Sequence, residues 1–240
     1  CGQVVAVNIN SGEPLWRAPV SIGGVNVSLV VHEDTLIAVH SKENIDDNTM
    51  GRMVAFDLNA KPTIPEGGGT PVLDAELWRA DIASFTSSPV LADGVIYQVS
   101  MTGELYAVNP ESGEVFWHEK LGPDQLHASP LYADGKLYIP FQDGSFVIAR
   151  PSKEGLDVLS RVELEGTALG APVPYRGRIY VHTTEKLYAI GGPKAQRHRP
   201  GRRDGGGKAN QGERLNRQSR AEQSRGEERR AEQSRAEQSR

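Results

Sequence analysis

The segments GQVVAVNINSGEPLW, Gly2 to Trp16, and GELYAVNPESGEVFW, Gly103 to Trp117, carry Gly, Ala, Asn, Ser, Gly, Glu and Trp at matched offsets. Self-similarity of this kind limits a chain to architectures in which one small unit is written several times over. A second phrase recurs beside the first. SSPVLADGVIYQVS from Ser87, ASPLYADGKLYIPF from Ala128 and GAPVPYRGRIYVHT from Gly170 are close variants, and VSLVVHEDTLIAVH from Val27 is a worn one. Gly103 to Gly144 spans 41 residues, and Gly144 to Glu185, which takes the glycine's place in the last copy, spans 41 again. Gly51 to Gly103 spans 52, with PTIPEGGGTP, Pro62 to Pro71, as the excess. A further insertion, KENIDDNTM, Lys42 to Met50, lengthens the gap back to Gly2. Both insertions are expected to be loops.

Each unit reads as four short antiparallel strands. Asp93-Gly94 and Asp134-Gly135 stand between runs rich in β-branched and aromatic residues, and Asp-Gly is a hairpin signal because both turn positions want positive φ. Gly51, Gly103 and Gly144 open a third strand, and a turn leads to a fourth that carries Trp16, Trp78 or Trp117. In LYAVN both faces of the strand are apolar, so each sheet needs cover on both sides. Ala6, Ala55, Ala107 and Ala189 recur where a large side chain would push neighbouring sheets apart. Asn8, Asp57 and Asn109 are placed to start the third-to-fourth turn by bonding their own downstream backbone. Gly12 and Gly113 supply the left-handed conformation that ends it. The expectation is radial stacking of four-stranded sheets, with Trp16, Trp78 and Trp117 reaching from outer strands into the adjacent sheet. Two strands of one unit, three full units and three strands of a last unit make 17. The expected fold is an all-β propeller of four-stranded antiparallel blades, with four to five blades present, three full and two partial.

The phrase Ala-x-Asx-x-x-Ser-Gly-x-x-x-Trp, intact at Ala6 to Trp16 and Ala107 to Trp117, resembles the tryptophan-docking repeat of the pyrroloquinoline quinone (PQQ)-like β-propellers. That superfamily includes quinoprotein dehydrogenases and the propeller lipoprotein of the outer-membrane β-barrel assembly machinery. The resemblance covers Gly2 to Gly192. It departs in three places: the copy at Ala149 has no Trp, the copy at Ala55 is split by an insertion, and the last stops at LYAIGG. WD40 propellers are the alternative, but the chain has no Trp-Asp dipeptide. The resemblance implies part of a ring of about seven or eight blades, in an extracytoplasmic compartment of a bacterium. It also implies a non-catalytic binding or scaffolding role with protein partners. A remnant of a PQQ-dependent dehydrogenase and an open reading frame without function are the alternatives.

Charge divides the chain at its end. From Arg197 to Arg240 there are 13 Lys/Arg against 7 Asp/Glu and one large aliphatic residue, Leu215, so this stretch cannot bury a core. Residues 193–240 are therefore expected to form a disordered tail and residues 1–192 the propeller body. The tail repeats AEQSR with a period of five. Tandem copies of the five-base unit GAGCA translate in every frame as cyclic Glu-Gln-Ser-Arg-Ala, so read-through of a DNA repeat accounts for it. Codons unrelated to GAGCA at the locus would refute this; an Arg-rich RNA-binding or anionic-surface tail is the alternative. The remaining 14 basic and 24 acidic residues leave the body near −10, against nucleic-acid binding, which rests on clustered Lys/Arg. No run approaches the roughly 20 apolar residues of a membrane span.

Candidate chemistry is sparse. Cys1 is the single cysteine, which excludes an intramolecular disulfide; as a mature N-terminus it would be a lipid anchor. The resembled dehydrogenases hold their quinone with a calcium ion, a carboxylate and a vicinal disulfide, and the last is impossible here, so no cofactor is expected. Asn44, Asp46, Asp47 and Asn48 form an oxygen-rich loop of the kind that holds Ca²⁺, but Thr49 stands where an EF-hand needs Gly and no Glu closes the loop. A solvated insertion is the expectation. Gly67-Gly68-Gly69 is followed by no Lys-Ser/Thr and reads as a loop rather than a phosphate cradle. His32, His40, His118, His127 and His182 are scattered, with structural or surface roles expected and a site from His127 and His182 as the alternative.

Overall fold

The computed structural model describes residues 2–123 and 127–191. The expected tail and Cys1 lie outside the described residues. Five antiparallel sheets follow one another along the chain. The first pairs β1 (Gln3–Val7) with β2 (Pro14–Pro19). The second is β3 (Val30–His32), β4 (Thr35–Glu43), β5 (Met50–Asp57) and β6 (Glu76–Ala80). The third is β7 (Val90–Ala92), β8 (Val95–Val99), β9 (Glu104–Val108) and β10 (Val115–Lys120). The fourth is β11 (Leu131–Ala133), β12 (Lys136–Pro140), β13 (Ser145–Pro151) and β14 (Leu156–Glu163). The last is β15 (Val173–Tyr175), β16 (Arg178–His182) and β17 (Leu187–Ile190). Every sheet is a meander in chain order, and the strand count among the described residues is the 17 that the repeat implies. The result is an open all-β propeller rather than a closed ring.

The local chemistry explains the turns. Asp93 and Asp134 have φ of 50°, followed by Gly94 and Gly135 at 72° and 65°, the two left-handed residues a tight hairpin needs. Arg176 does the same work ahead of Gly177, a conformation seldom taken by a long side chain. Between third and fourth strands, the side chains of Asn8, Asp57 and Asn109 accept the backbone N–H of Asn10, Asn59 and Glu111 at 2.8–2.9 Å. Gly103 opens β9 at φ 74°, where a Cβ would stand 1.9 Å from the Pro123 carbonyl oxygen.

Burial shows why the sheets must stack. In β9, Leu105, Ala107 and Val108 point to opposite faces and all are fully buried, so the sheet has oil on both sides. β1 at one end and β17 at the other are covered on one face only, that of β17 just half-buried, with Val5, Val7 and Leu187 exposed. The sheets meet most closely at their first strands, β3 to β7 and β7 to β11. There the Ser28 N–H donates to Ser88 Oγ, and the Ser88 N–H to Ser129 Oγ, each at 2.9 Å. Ala171 holds the next position of this series and has no hydroxyl to accept.

Two details differ from the simple repeat. The Pro62–Pro71 insertion does not end as a free loop: Val72 bridges Thr63 and also Arg17 of β2, with the Arg17 N–H donating to Pro71 O and the Leu73 N–H to Arg17 O. The insertion of the second sheet thereby pairs onto the outer strand of the first. In the fourth sheet, the register sets Ile148, not Ala149, opposite Tyr138 and Ser160. Ile148 thus occupies the place that Ala107 holds between Tyr97 and Trp117.

Candidate functional site

The recurring geometry lies at the seams between sheets. At the first seam Trp16, opposite Ala6, is half-buried against the cluster that Leu36, Val54 and Phe56 of the second sheet form with Val4 and Ala18 of the first. At the second, Trp78 lies opposite Ala55 at 8% exposure, and its indole N–H donates to the Pro110 carbonyl of the third sheet at 3.1 Å. Its ring lies so close to Gly113 that a Cβ there would come within 2.5 Å of it. At the third seam Trp117, opposite Ala107, donates to the Ser152 carbonyl of the fourth sheet at 2.8 Å, with the Tyr97 ring 6.3 Å away. Burial pushes the Tyr97 phenol up to about 12, with Tyr132 and Asp93 adding to the shift. Tyr132 in turn donates its hydroxyl proton to Asp93 across the same seam. Gly12, by contrast, faces open space.

The fourth seam is built differently. Ser160 stands where the others have tryptophan, Ile148 where they have alanine, and the bulged Leu159 is 41% exposed. Between the fourth and last sheets a cleft of about 750 Å³ opens, walled by Tyr138, Ile148 and Ser160 on one side and Pro174, Ile179 and Ile190 on the other. Lys136, Asp134, Arg176 and Arg178 lie at its polar margin. Lys136 pairs with Asp134 at 2.9 Å, and the Arg176 guanidinium stacks over Tyr175 at 4.8 Å.

The other motifs resolve into structure. The insertion at 42–50 prolongs the β4–β5 hairpin, with Glu43 paired to Met50. Its carboxylates face cations of the chain itself: Arg52 bonds Asp46 at 2.8 Å and Asp47 at 2.6 Å, and Arg79 bonds Asp46 and Glu76. The Arg79 contact holds the Asp46 carboxyl low. The Thr49 hydroxyl and N–H, with help from Asn44 and Arg52, hold Asp47 at about 2. Among the described residues no group of three or more His, Cys, Asp or Glu is placed to hold a metal ion. Gly67, Gly68 and Gly69 face open space.

The histidines are dispersed. His127 meets Thr86 Oγ1 at 3.4 Å and the Phe85 ring edge-on, whereas His182 sits on β16 opposite Leu187. His118 stacks on Tyr106 and faces Glu104 at 3.6 Å, and His32 pairs with Thr35 in the β3–β4 hairpin. His40 is 1% exposed in the middle of the second sheet, opposite Arg52. Burial lowers its pKa, and the Arg52 charge lowers it further, against an opposing pull from the Lys42 backbone. Sequence reasoning did not single out the fourth seam, although the missing tryptophan was legible. The cleft depends on which residue the register brings to that position.

Seventeen strands among the described residues, in successive meanders of two, four, four, four and three, with the Trp78 and Trp117 indoles bonded to the next sheet's turn, define a PQQ-like β-propeller repeat protein with an incomplete ring. Comparison with known proteins agrees. The family model described as outer membrane protein assembly factor BamB matches residues 72–156. The chain is 31% identical over 220 residues to the outer membrane protein assembly factor BamB of Yersinia pestis, covering 76% of this chain and 54% of that protein. It is 26% identical over 144 residues to BamB of Escherichia coli, covering 60% of this chain and 31% of that protein. The crystal structure of BamB from Moraxella catarrhalis superposes with a TM-score of 0.58 at 16% identity, covering 82% of this chain and 53% of that one. The chain thus spans about half the length, or less, of the curated relatives it matches.

Proposed function

We propose that the chain is a non-catalytic docking module of a bacterial envelope protein, extracytoplasmic in location, that binds protein partners in outer-membrane protein assembly. The similarity to an assembly factor over 76% of the chain carries this reading. The acidic body supports it by disfavouring a phosphate-backbone partner, and no helix among the described residues is long and apolar enough to cross a membrane. Residues 1–192 form the body in this reading and 193–240 an appended tail. Within the body, Trp16, Trp78 and Trp117 are the blade-docking groups. Ala6, Ala55 and Ala107 give them room, and Gly12 and Gly113 shape the turns. The scaffold keeps its loops in place by these indole wedges, each worth a few kcal/mol at roughly 25 cal/mol per Å² of buried apolar surface.

The test is export of the chain to the periplasm of an Escherichia coli strain that lacks BamB. The expected result is a partial return of outer-membrane protein content, with the chain co-purifying with assembly proteins. No recovery and no co-purified assembly protein would refute the reading.

A further inference from the structure

At the fourth seam the stacking rule is broken, with serine in the tryptophan's place and a wide cleft beside it. In the third sheet the row Tyr97–Ala107–Trp117 packs against Leu137 and Ala149 of the fourth. In the fourth sheet the corresponding row is Tyr138–Ile148–Ser160, facing Ile179 and Ile190 of the last. The opposing wall keeps its apolar character, and the wedge that should meet it has shrunk to a serine. Ile148 recovers only part of the volume, because it rises from the alanine position nearer the middle of the sheet. The cleft of about 750 Å³ lies where the other seams hold an indole.

Two further features say what would enter. β17 is hydrogen-bonded to β16 on one side only among the described residues, so its other edge offers unpaired backbone groups to an extended segment. A strand added there directs alternate side chains to one face, as in β-augmentation. Arg176 and Arg178, beside the mouth, have no ion-pair partner among the described residues, whereas Lys136 is matched by Asp134. The site therefore favours acidic neighbours around the inserted side chain. The chain's own residues 193–240 contain no aromatic residue and carry excess positive charge, so they offer neither feature.

We propose that this cleft is a docking site for a tryptophan side chain carried by an extended, acidic segment of a partner protein, seated where Ser160 leaves the repeat's indole position empty. The inference rests on the docking reading above and names the chemistry of its partner. The cleft would then act as a specificity element, since a segment lacking the aromatic anchor fills neither the volume nor the wall.

The experiment uses the purified full chain and the peptide acetyl-Glu-Thr-Trp-Thr-Glu-amide, with binding read by calorimetry at low salt. The expected result is saturable one-to-one binding with a dissociation constant on the order of 10⁻⁴ M, as suits one buried anchor. Replacing the peptide's Trp by Ala should weaken binding about tenfold or more. Ser160→Trp, which restores the repeat's own wedge, should abolish binding while raising the unfolding temperature. Arg178→Glu, a change outside the packed wall, should weaken binding several-fold without lowering that temperature and so guards against a Ser160→Trp chain that fails to fold. The proposal is overturned by absence of saturable binding to the folded wild-type chain, by equal binding of the Ala peptide, or by undiminished binding to either variant. If Ser160→Trp still supports outer-membrane assembly in the export assay, the assembly reading survives and the cleft is excluded as its contact.

Discussion

At the level of single residues, the three tryptophans are chemically alike but differ in cover, and that difference sets their weight. Trp78 is nearly enclosed and its N–H is spent on Pro110 O, so removing it leaves both a cavity and a buried carbonyl without its donor. Trp78→Ala should cost about 3–5 kcal/mol in urea unfolding, and Trp16→Ala, at a half-open seam, distinctly less; equal losses would contradict the seam account. His40 poses a different problem. Neither ring nitrogen has a hydrogen-bond partner among the described residues, and Phe141 fills the corresponding place in the fourth sheet. The pKa of His40 lies below its ordinary value of 6.5 in the folded chain, so the unfolded chain binds the extra proton first as pH falls. Stability is thus full above 6.5 and declines with acidification below it, until the folded-state pKa is also passed. His40→Phe should remove the slope that begins below pH 6.5 in unfolding titrations. Asp47 acts at lower pH: its carboxyl sits at about 2 against 3.8 unfolded, so its contribution is present above 3.8 and fades as pH falls toward 2.

Among the strands and loops, the unit was legible and its exceptions were not. Period, Asp-Gly turns and paired apolar faces are local signals, because a meander bonds each strand to its sequence neighbour. This is why the strand count and order could be read without coordinates. The pairing of Val72 with Arg17 could not, since Pro62–Pro71 has no alternation of its own and its partner lies a sheet away. Nor could the capture of Asp46 and Asp47 by Arg52 and Arg79, which depends on strand register rather than spacing. Ile148 differs: the 41-residue period carries Ala107 straight onto it, and taking the neighbouring Ala149 as that copy's alanine misses the position by one residue. The paired insertion has a function in the fold: it shields the free edge of β2, and an uncovered edge is a template for another chain. Replacing residues 62–71 by a short turn should therefore leave the strand content by circular dichroism nearly intact but shift the chain toward oligomers in size-exclusion chromatography. Leu73 is fully buried beneath this edge, so Leu73→Ala should cost about 2–5 kcal/mol. An unchanged elution volume after the loop exchange would refute edge protection.

For the whole molecule, the decisive quantity is how many sheet faces lack a neighbour. An interior sheet such as β7–β10 hides both faces, and its stability is shared with the sheets on either hand, as in other repeat proteins where interfaces carry much of the folding energy. The two end sheets have one neighbour each. Val5 and Val7 are 48% and 53% exposed on the first, and Val173 and Leu187 are 57% and 67% exposed on the last. Val7 and Leu187 correspond in the repeat to Val108 and Leu105, which are dry in β9. Two consequences follow from the same cause. End sheets should open before interior ones, so amides of β1 and β17 should exchange with solvent well before those of β8 and β9. The exposed faces should also drive association, because contiguous apolar surface on a soluble chain finds a partner as concentration rises. Sedimentation of the purified chain should show concentration-dependent self-association. Val5→Glu with Val7→Glu, which places two charges on the open face and leaves Val4 in the core untouched, should suppress it at the first sheet; Leu187→Glu should do so at the last. A contact between the two different faces would be blocked by charging either one, whereas a contact between like faces would yield only to charge on its own face. A chain that stays monomeric at every concentration, with β1 amides as protected as those of β9, would show that these faces are covered from within the same molecule.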